Sequence, residues 1–347
     1  HVYRQAKTPT DVVVATWQMH NLITQWMAGG KGNNGKQPQP DDGNGRQGKG
    51  SPNPGGTNEG NNPGKTVVHE QPTFGDEGKG KVVNSLMDKN KYDLTVRFNG
   101  SCNAGHTVYR NGQKFVLHQL PVGILTDNSY TLISSDCLVD YPKLEKEIEE
   151  IRSKGIDTDR RMFISKACHI ITQEAIDYDK ANNLIGTTGS GIGPTYSNKM
   201  LRKGLRVEDF IDKFKDLGFQ VVDMSEFWQD KFVKQNIHSI LLEGAQGFGL
   251  DINWTNQYPY CTSSTCTLAG AVNTGIQIKN IRNIYGISKA YDTYVGTTKF
   301  QPEDDNNLNI IGEYGKEFGS TTGRRRQCNY LNLNNLKKAL YINNCNI

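Results

Sequence analysis

The segment Phe74-Gly75-Asp76-Glu77-Gly78-Lys79-Gly80-Lys81 constrains this chain more than any other, because it gathers three glycines, two lysines and two acids into one short stretch after the β-branched run Thr66-Val67-Val68. Glycines let backbone N–H groups come close to a phosphate, and a helix opening there points its positive dipole end at the same anion. The segment reads as a phosphate cradle. It is not the usual P-loop, since Lys81 is followed by Val82 where that motif carries a hydroxyl. A carboxylate inside such a cradle is repelled unless it holds a metal ion or takes up a proton, so Asp76 is the first candidate for chemistry.

Taken alone, a turn of this composition is most often a solvated loop. A second constellation shifts the balance. The run Asn99-Gly100-Ser101-Cys102-Asn103-Ala104-Gly105-His106-Thr107 follows a strand expected from Leu94 to Phe98 and packs small residues around one histidine. Its Asn, Gly and Thr residues offer the donors and the carbonyl that a phosphoanhydride and its magnesium require.

With these two runs in place, the chain resembles the adenylosuccinate synthetase family. The resemblance is carried, in order, by Gly75 to Lys81, Asn103 to Thr107, Ile185-Gly186-Thr187-Thr188-Gly189-Ser190-Gly191-Ile192-Gly193-Pro194, Glu243-Gly244-Ala245-Gln246-Gly247, Tyr258 to Ser264, and Gly319-Ser320-Thr321-Thr322-Gly323-Arg324-Arg325-Arg326. Any one block is weak, but six in order are not produced by chance. The resemblance as a whole covers roughly Gly75 to Cys345.

The resemblance implies a ligase of purine biosynthesis that condenses inosine monophosphate (IMP) with L-aspartate at the expense of GTP, through a 6-phosphoryl nucleotide. Asp76 would take the N1 proton of the base and ligate Mg2+, with the Gly105 carbonyl completing the metal shell. His106 would stabilise charge as the phosphoryl group moves, beside Lys79. Gly75, Glu77, Gly78, Gly80, Lys81, Gly105 and Thr107 would line the GTP. Asn103, Thr187, Thr188 and Thr262 would hold the acceptor nucleotide and its phosphate, and Gln246 would meet the base near O6. Arg202 would reach the phosphate in the neighbouring subunit, which implies a homodimer. Thr322, Arg324 and Arg326 would clamp the carboxylates of aspartate, a task suited to the planar guanidinium fork.

Each block also has a plainer reading. Three consecutive arginines are usually a solvated or nucleic-acid-facing run, Gln246 could simply close the strand Ser239 to Leu242, and Arg202 could be an ordinary surface arginine. Net charge of +4 over 347 residues is too small to argue for nucleic acid or membrane binding. Seven cysteines without a C-x-x-C pair argue against a disulfide framework or zinc site and for a reducing, cytoplasmic compartment.

Strands expected at Leu94 to Phe98, Phe115 to His118, Tyr130 to Ser134, Met162 to Ser165, Ser239 to Leu242 and Ile284 to Lys289 alternate with helices at Lys143 to Lys154, Glu208 to Leu217 and Leu331 to Tyr341. This predicts an α/β fold: a P-loop-like, doubly wound, mostly parallel sheet with helices on both faces, whose glycine-rich turns converge beyond the strand ends. Residues 66–347 form the catalytic domain in this reading. A disordered polar tail at 1–65 precedes it, with Gly29 to Lys65 too poor in apolar residues to pack and a short amphipathic helix over 11–27.

Three departures from the family bear on function. Gln71-Pro72-Thr73 stands where Gly and Gln are usual, and Pro72 takes a donor from a strand that should be central. The chain ends at Ile347, before the family's Lys-x-Asp guanine-reading motif, so GTP over ATP has no visible source. Cys261 and Cys266 are spaced as in viral relatives that condense aspartate with deoxyguanylate, although those typically lack the acid at Asp76. Two other readings therefore stay open: a viral-type (d)GMP–aspartate ligase, and an inactive relative serving as a binding module.

Overall fold

The computed structural model describes residues 10–12, 69–70, 78–183, 185–231, 236–294, 299–318, 323 and 325–347, all within one compact unit. In chain order the strands are β1 (Thr10–Val12), β2 (His69–Glu70), β3 (Leu94–Arg97), β4 (His106–Arg110), β5 (Gln113–Leu117), β6 (Tyr130–Ile133), β7 (Leu138–Val139), β8 (Met162–Ser165), β9 (His169–Ile170), β10 (Phe219–Val222), β11 (Ile240–Glu243), β12 (Ile281–Gly286), β13 (Tyr291–Tyr294) and β14 (Gln327–Tyr330). Eight of them form one sheet in the order β10-β8-β6-β3-β11-β1-β12-β2, and its pairings are parallel.

Buried strands of a parallel sheet are apolar on both faces, and the alternation of their side chains shows it. Ile133, Met162, Ile164 and Leu241 face one cluster with Val83, Met87, Leu144, Ile148 and Phe214. Their neighbours Leu132, Phe163, Ile240 and Leu242 face a second cluster with Phe227 and Ala271. Helical residues therefore cover both faces, as a doubly wound sheet requires.

Four helices position the candidate site: α1 (Lys79–Asn90), α2 (Tyr141–Ser153), α3 (Gln173–Ala181) and α4 (Ile192–Met200). In α2 the Asp140 side chain accepts from Lys143 N at 3.2 Å to cap the start, Pro142 sits in the first turn, and Leu144, Ile148 and Ile151 recur at helical spacing on the buried side. The helix expected from Glu208 to Leu217 divides into a 3₁₀ turn, Val207–Phe210, and a short helix, Ile211–Asp216. Among the described residues no helix is long and apolar enough to cross a membrane.

The N-terminal expectation needs correction. Residues 11 and 12, assigned to an amphipathic helix in a polar tail, belong to β1, which pairs with β11 and β12 inside the sheet. The reason is residue type: Thr10 and Val12 are β-branched, which favours a strand over a helix. The segment before the phosphate cradle was expected to be central, yet its described part, His69–Glu70, pairs only with β12 at the sheet edge. Polar residues followed by Pro72 fit an edge, where a missing donor costs little. Residues 13–68, with the rest of the expected helix, the linker and Thr66 to Val68, lie outside the described residues.

Candidate active site

The site is assembled where the chain leaves β3 and β11. Asn99, buried at the end of β3, is its hub: Nδ2 donates to Ala245 O at 3.1 Å and to Thr265 O at 2.9 Å, while Oδ1 accepts from Ala245 N at 2.6 Å. One side chain thus ties together the 99–107 run, the turn after β11 and the 262–265 segment. A Cβ on Gly193 would lie 3.4 Å from Ser263 Oγ, so the start of α4 adjoins that same segment.

The cradle joins this wall through Lys79. Gly78 caps α1 with φ of 93°, a left-handed conformation natural to glycine; among the described residues no side chain caps the helix, and no acidic residue lies in its first turn. The first amides of α1 are therefore a ready anion site. Lys79, buried, donates from Nζ to Gln246 O at 2.6 Å. Gln246 itself holds φ of 59°, and its Nε2 donates to Asn103 Oδ1 at 3.4 Å, while its Oε1 is buried with no hydrogen-bond partner among the described residues. Gly80 is a contact residue: a Cβ there would stand 3.0 Å from His106 Cβ, so α1 rests directly on β4. Lys81 is exposed on the next position.

His106 opens β4 and is buried. Its Nδ1 lies 2.5 Å from Glu243 Oε1, an oxygen that also accepts from Arg97 Nη1 at 2.6 Å. Burial and the Arg97 charge push the imidazole down to about 4 against the opposing pull of Glu243, so the ring is neutral near pH 7. Gly105 and Thr107, on either side, are half-buried.

The other predicted residues sit in local networks of their own. Thr187 Oγ1 donates to Asp179 Oδ1 at 2.8 Å and accepts from Gly189 N at 3.2 Å, and Gly191 N donates to Asp179 Oδ2 at 2.8 Å, so Asp179 shapes the turn before α4. Thr188 is exposed. Thr262 Oγ1 is 3.4 Å from Ser264 Oγ. Arg202 is exposed with φ of 60° just past α4. Arg326 lines a cavity of about 330 Å³ with Gln301, Asn309 and Arg325, and its Nη1 donates to Glu317 Oε2 at 2.7 Å. Glu317 also accepts from Lys289 Nζ at 2.9 Å and Tyr291 OH at 2.6 Å, so part of the Arg326 fork is committed within the protein. Gly75, Asp76, Glu77, Thr322 and Arg324 lie outside the described residues.

Sequence reasoning missed Arg97 and Asp179 as site builders, and it named Asn99 and Glu243 within their motif runs without giving either a specific role. Arg97 and Glu243 carried a signal, since a charged residue ending an apolar strand core has to find a buried partner.

The chain is similar to known proteins over most of its length. The family model described as adenylosuccinate synthetase matches residues 67–229 and 214–347. The adenylosuccinate synthetase of Cytophaga hutchinsonii is 40% identical over 315 residues, covering 78% of this chain and 72% of the relative, and that of Colwellia psychrerythraea is 38% identical over 327 residues, covering 81% and 75%. The structure of fully ligated adenylosuccinate synthetase from Plasmodium falciparum superimposes with a TM-score of 0.70 at 31% identity, over 80% of this chain and 74% of that one. The succinoaminodeoxyadenylate synthetase of cyanophage S-2L, bound to dGMP and dATP, gives 0.68 at 21% identity over 80% and 81%, a likeness of fold. With the 99–107 run, the turn after β11 and the 262–265 segment tied together by Asn99 and the family model covering the chain from residue 67 to its last residue, the chain belongs to the adenylosuccinate synthetase family, a family of ligases.

Proposed function

We propose that the protein condenses IMP with L-aspartate, driven by GTP, to give adenylosuccinate in the cytoplasm. The observation that carries the reading is the meeting of an uncapped helix start, a buried lysine and a buried histidine at one place: Lys79 at the head of α1, with Gly80 of the same turn against His106. Phosphoryl transfer asks a protein mainly for positioning and charge neutralisation, and these groups supply both.

In this mechanism Asp76 removes the N1 proton of IMP, so that O6 attacks the γ-phosphoryl of GTP while the α1 amides and Lys79 hold the transferring group. His106, neutral in the free protein, takes up a proton from solvent on Nε2 as the approaching polyanion raises the ring's proton affinity, and meets the developing charge through Nε2–H. Aspartate then displaces phosphate, its carboxylates held by Thr322, Arg324 and Arg326. Gln246 and Asn103 face the acceptor base, Thr187, Thr188 and Thr262 its phosphate, and Arg202 serves the partner subunit of a homodimer.

Mg2+ fits the residues in number and kind, because one carboxylate from Asp76 and the Gly105 carbonyl leave the remaining positions to water and phosphate oxygens, the sharing that a hard octahedral cation prefers. When bound it neutralises charge on the transferring phosphoryl group.

The experiment is phosphate release with IMP or deoxyguanosine monophosphate, each with GTP or ATP, with and without aspartate. Aspartate-dependent release with IMP and GTP is expected. Preference for deoxyguanosine monophosphate would establish the viral-type reaction, and no release in any combination would establish a binding module.

A further inference from the structure

A carboxylate, a guanidinium and an imidazole meet at one oxygen atom. Glu243 Oε1 accepts from Arg97 Nη1 at 2.6 Å and lies 2.5 Å from His106 Nδ1. Glu243 is 0%, Arg97 1% and His106 4% exposed, so solvent screens none of these contacts. Arginine does not give up its proton in a protein, and the guanidinium at 2.6 Å from Oε1 together with the Val122 N–H on Oε2 holds the Glu243 carboxyl low against the upward push of burial. The carboxylate is therefore ionised and can only accept. Arg97 Nη1 lies 3.0 Å from Nδ1, so Nδ1 meets a donor there and an acceptor at Glu243. The shorter contact decides, because a lone pair on Nδ1 would face the Oε1 lone pairs across 2.5 Å, whereas an Nδ1–H makes a charge-assisted hydrogen bond and leaves Arg97 Nη1 to donate to Oε1. The network assigns the ring its tautomer.

The rest of the geometry holds that contact still. Glu243 Oε2 accepts from Val122 N at 2.8 Å, which fixes the plane of the carboxylate. Arg97 Nη2 donates to His118 O at 2.9 Å, and the His118 ring contacts Ala104 O at 2.5 Å, two residues before His106. The ring is thereby fixed through its backbone and through Nδ1. Nε2 is buried with no hydrogen-bond partner among the described residues, and it is the polar ring atom left to meet a ligand.

We propose that Glu243 is a positioning residue for His106: it sets the ring's tautomer and plane so that Nε2 alone faces the reactants, while Arg97 steadies the carboxylate from the other side. This rests on the role of His106 in the reaction given above. A carboxylate behind a working histidine is commonly worth about 10- to 100-fold in activity. A plain structural ion pair between Arg97 and Glu243 makes a different prediction, because its loss would weaken the enzyme whether or not His106 is present.

The test is a double-mutant cycle with a spectroscopic control. Glu243→Asp keeps the charge beside Arg97 but withdraws it from Nδ1 by one methylene, and Glu243→Gln is the second variant should the first not fold. Either change is expected to lower kcat about 10- to 100-fold, with the nucleotide KM moving less than about twofold, and to cost nothing further on a His106→Ala background. Equal losses on both backgrounds would overturn the proposal. Ring ¹⁵N spectra of the free protein, with His106→Ala used to assign the signal, do not depend on the reaction at all. A protonated Nδ1 in the wild type that shifts toward Nε2–H in the Glu243 variant supports the proposal even if no condensation is found, and a protonated Nε2 in the wild type overturns it.

Discussion

Lys79 Nζ donates to the main-chain carbonyl of Gln246 at 2.6 Å, tying the first residue of α1 to the turn after β11 across 167 positions of sequence. Helix start and strand end are thus locked at the point where the transferring phosphoryl group is proposed to sit. The Lys79 side chain cannot move without disturbing the backbone at Gln246.

Lys79→Gln removes the charge and keeps a donor. The expected result is a nucleotide KM raised about 10- to 100-fold, since a hydrogen bond to a charged group contributes about 1.5–3 kcal/mol. Initial rates with GTP varied at saturating IMP and aspartate check this, and an unchanged constant would separate Lys79 from the phosphates.

Asn99 uses its amide as donor and acceptor at once, so Asn99→Asp retains only the acceptor for Ala245 N and sets a carboxylate against the carbonyls of Ala245 and Thr265. A loss of about 2–4 kcal/mol in unfolding free energy is expected. Urea denaturation measures it. A loss under about 1 kcal/mol would show that the three turns are held together by something else.

His106 gives the acid side of the stability profile its sign. Its folded pKa of about 4 lies below the ordinary value of 6.5, so between these limits the unfolded chain binds the extra proton and stability falls as pH falls. From pH 7 to pH 5 this one group should remove about 2 kcal/mol, and His106→Asn, whose Nδ2 can still donate to Glu243, should remove that much less. Urea midpoints of both proteins at the two pH values decide it; parallel profiles would rule out the buried neutral ring as the cause.

Asp76→Asn is expected to abolish turnover while nucleotide binding survives, because an amide cannot take the N1 proton and loss of a general base costs about 10² to 10⁴ in rate. Wild-type turnover in this variant would remove Asp76 from the mechanism.

Arg324→Lys keeps the charge but loses the paired donor geometry, so the aspartate KM should rise while that for IMP barely moves. A solvated arginine would alter neither constant. Weakened nucleotide affinity with normal aspartate saturation would instead place Arg324 on phosphate.

The family of the chain was legible in its order of residues, because the motifs are local. A glycine-rich turn with two lysines, a histidine among small residues and a threonine-glycine turn each mark that family within about ten positions. The strand cores were legible for the same reason: Met162–Ser165 and its neighbours are continuous apolar runs, the mark of strands buried on both faces. What the order of residues did not disclose was partnership at long range. The place of Thr10–Val12 inside the sheet, the commitment of Arg326 to Glu317, and the convergence of Arg97 and His106 on Glu243 all depend on which strands lie side by side. Arg97 stands 146 positions from Glu243, and they meet because β3 and β11 are parallel neighbours with these two residues in register. Strand order is settled by the burial of the whole sheet between its two apolar clusters, a cooperative property that no single segment carries.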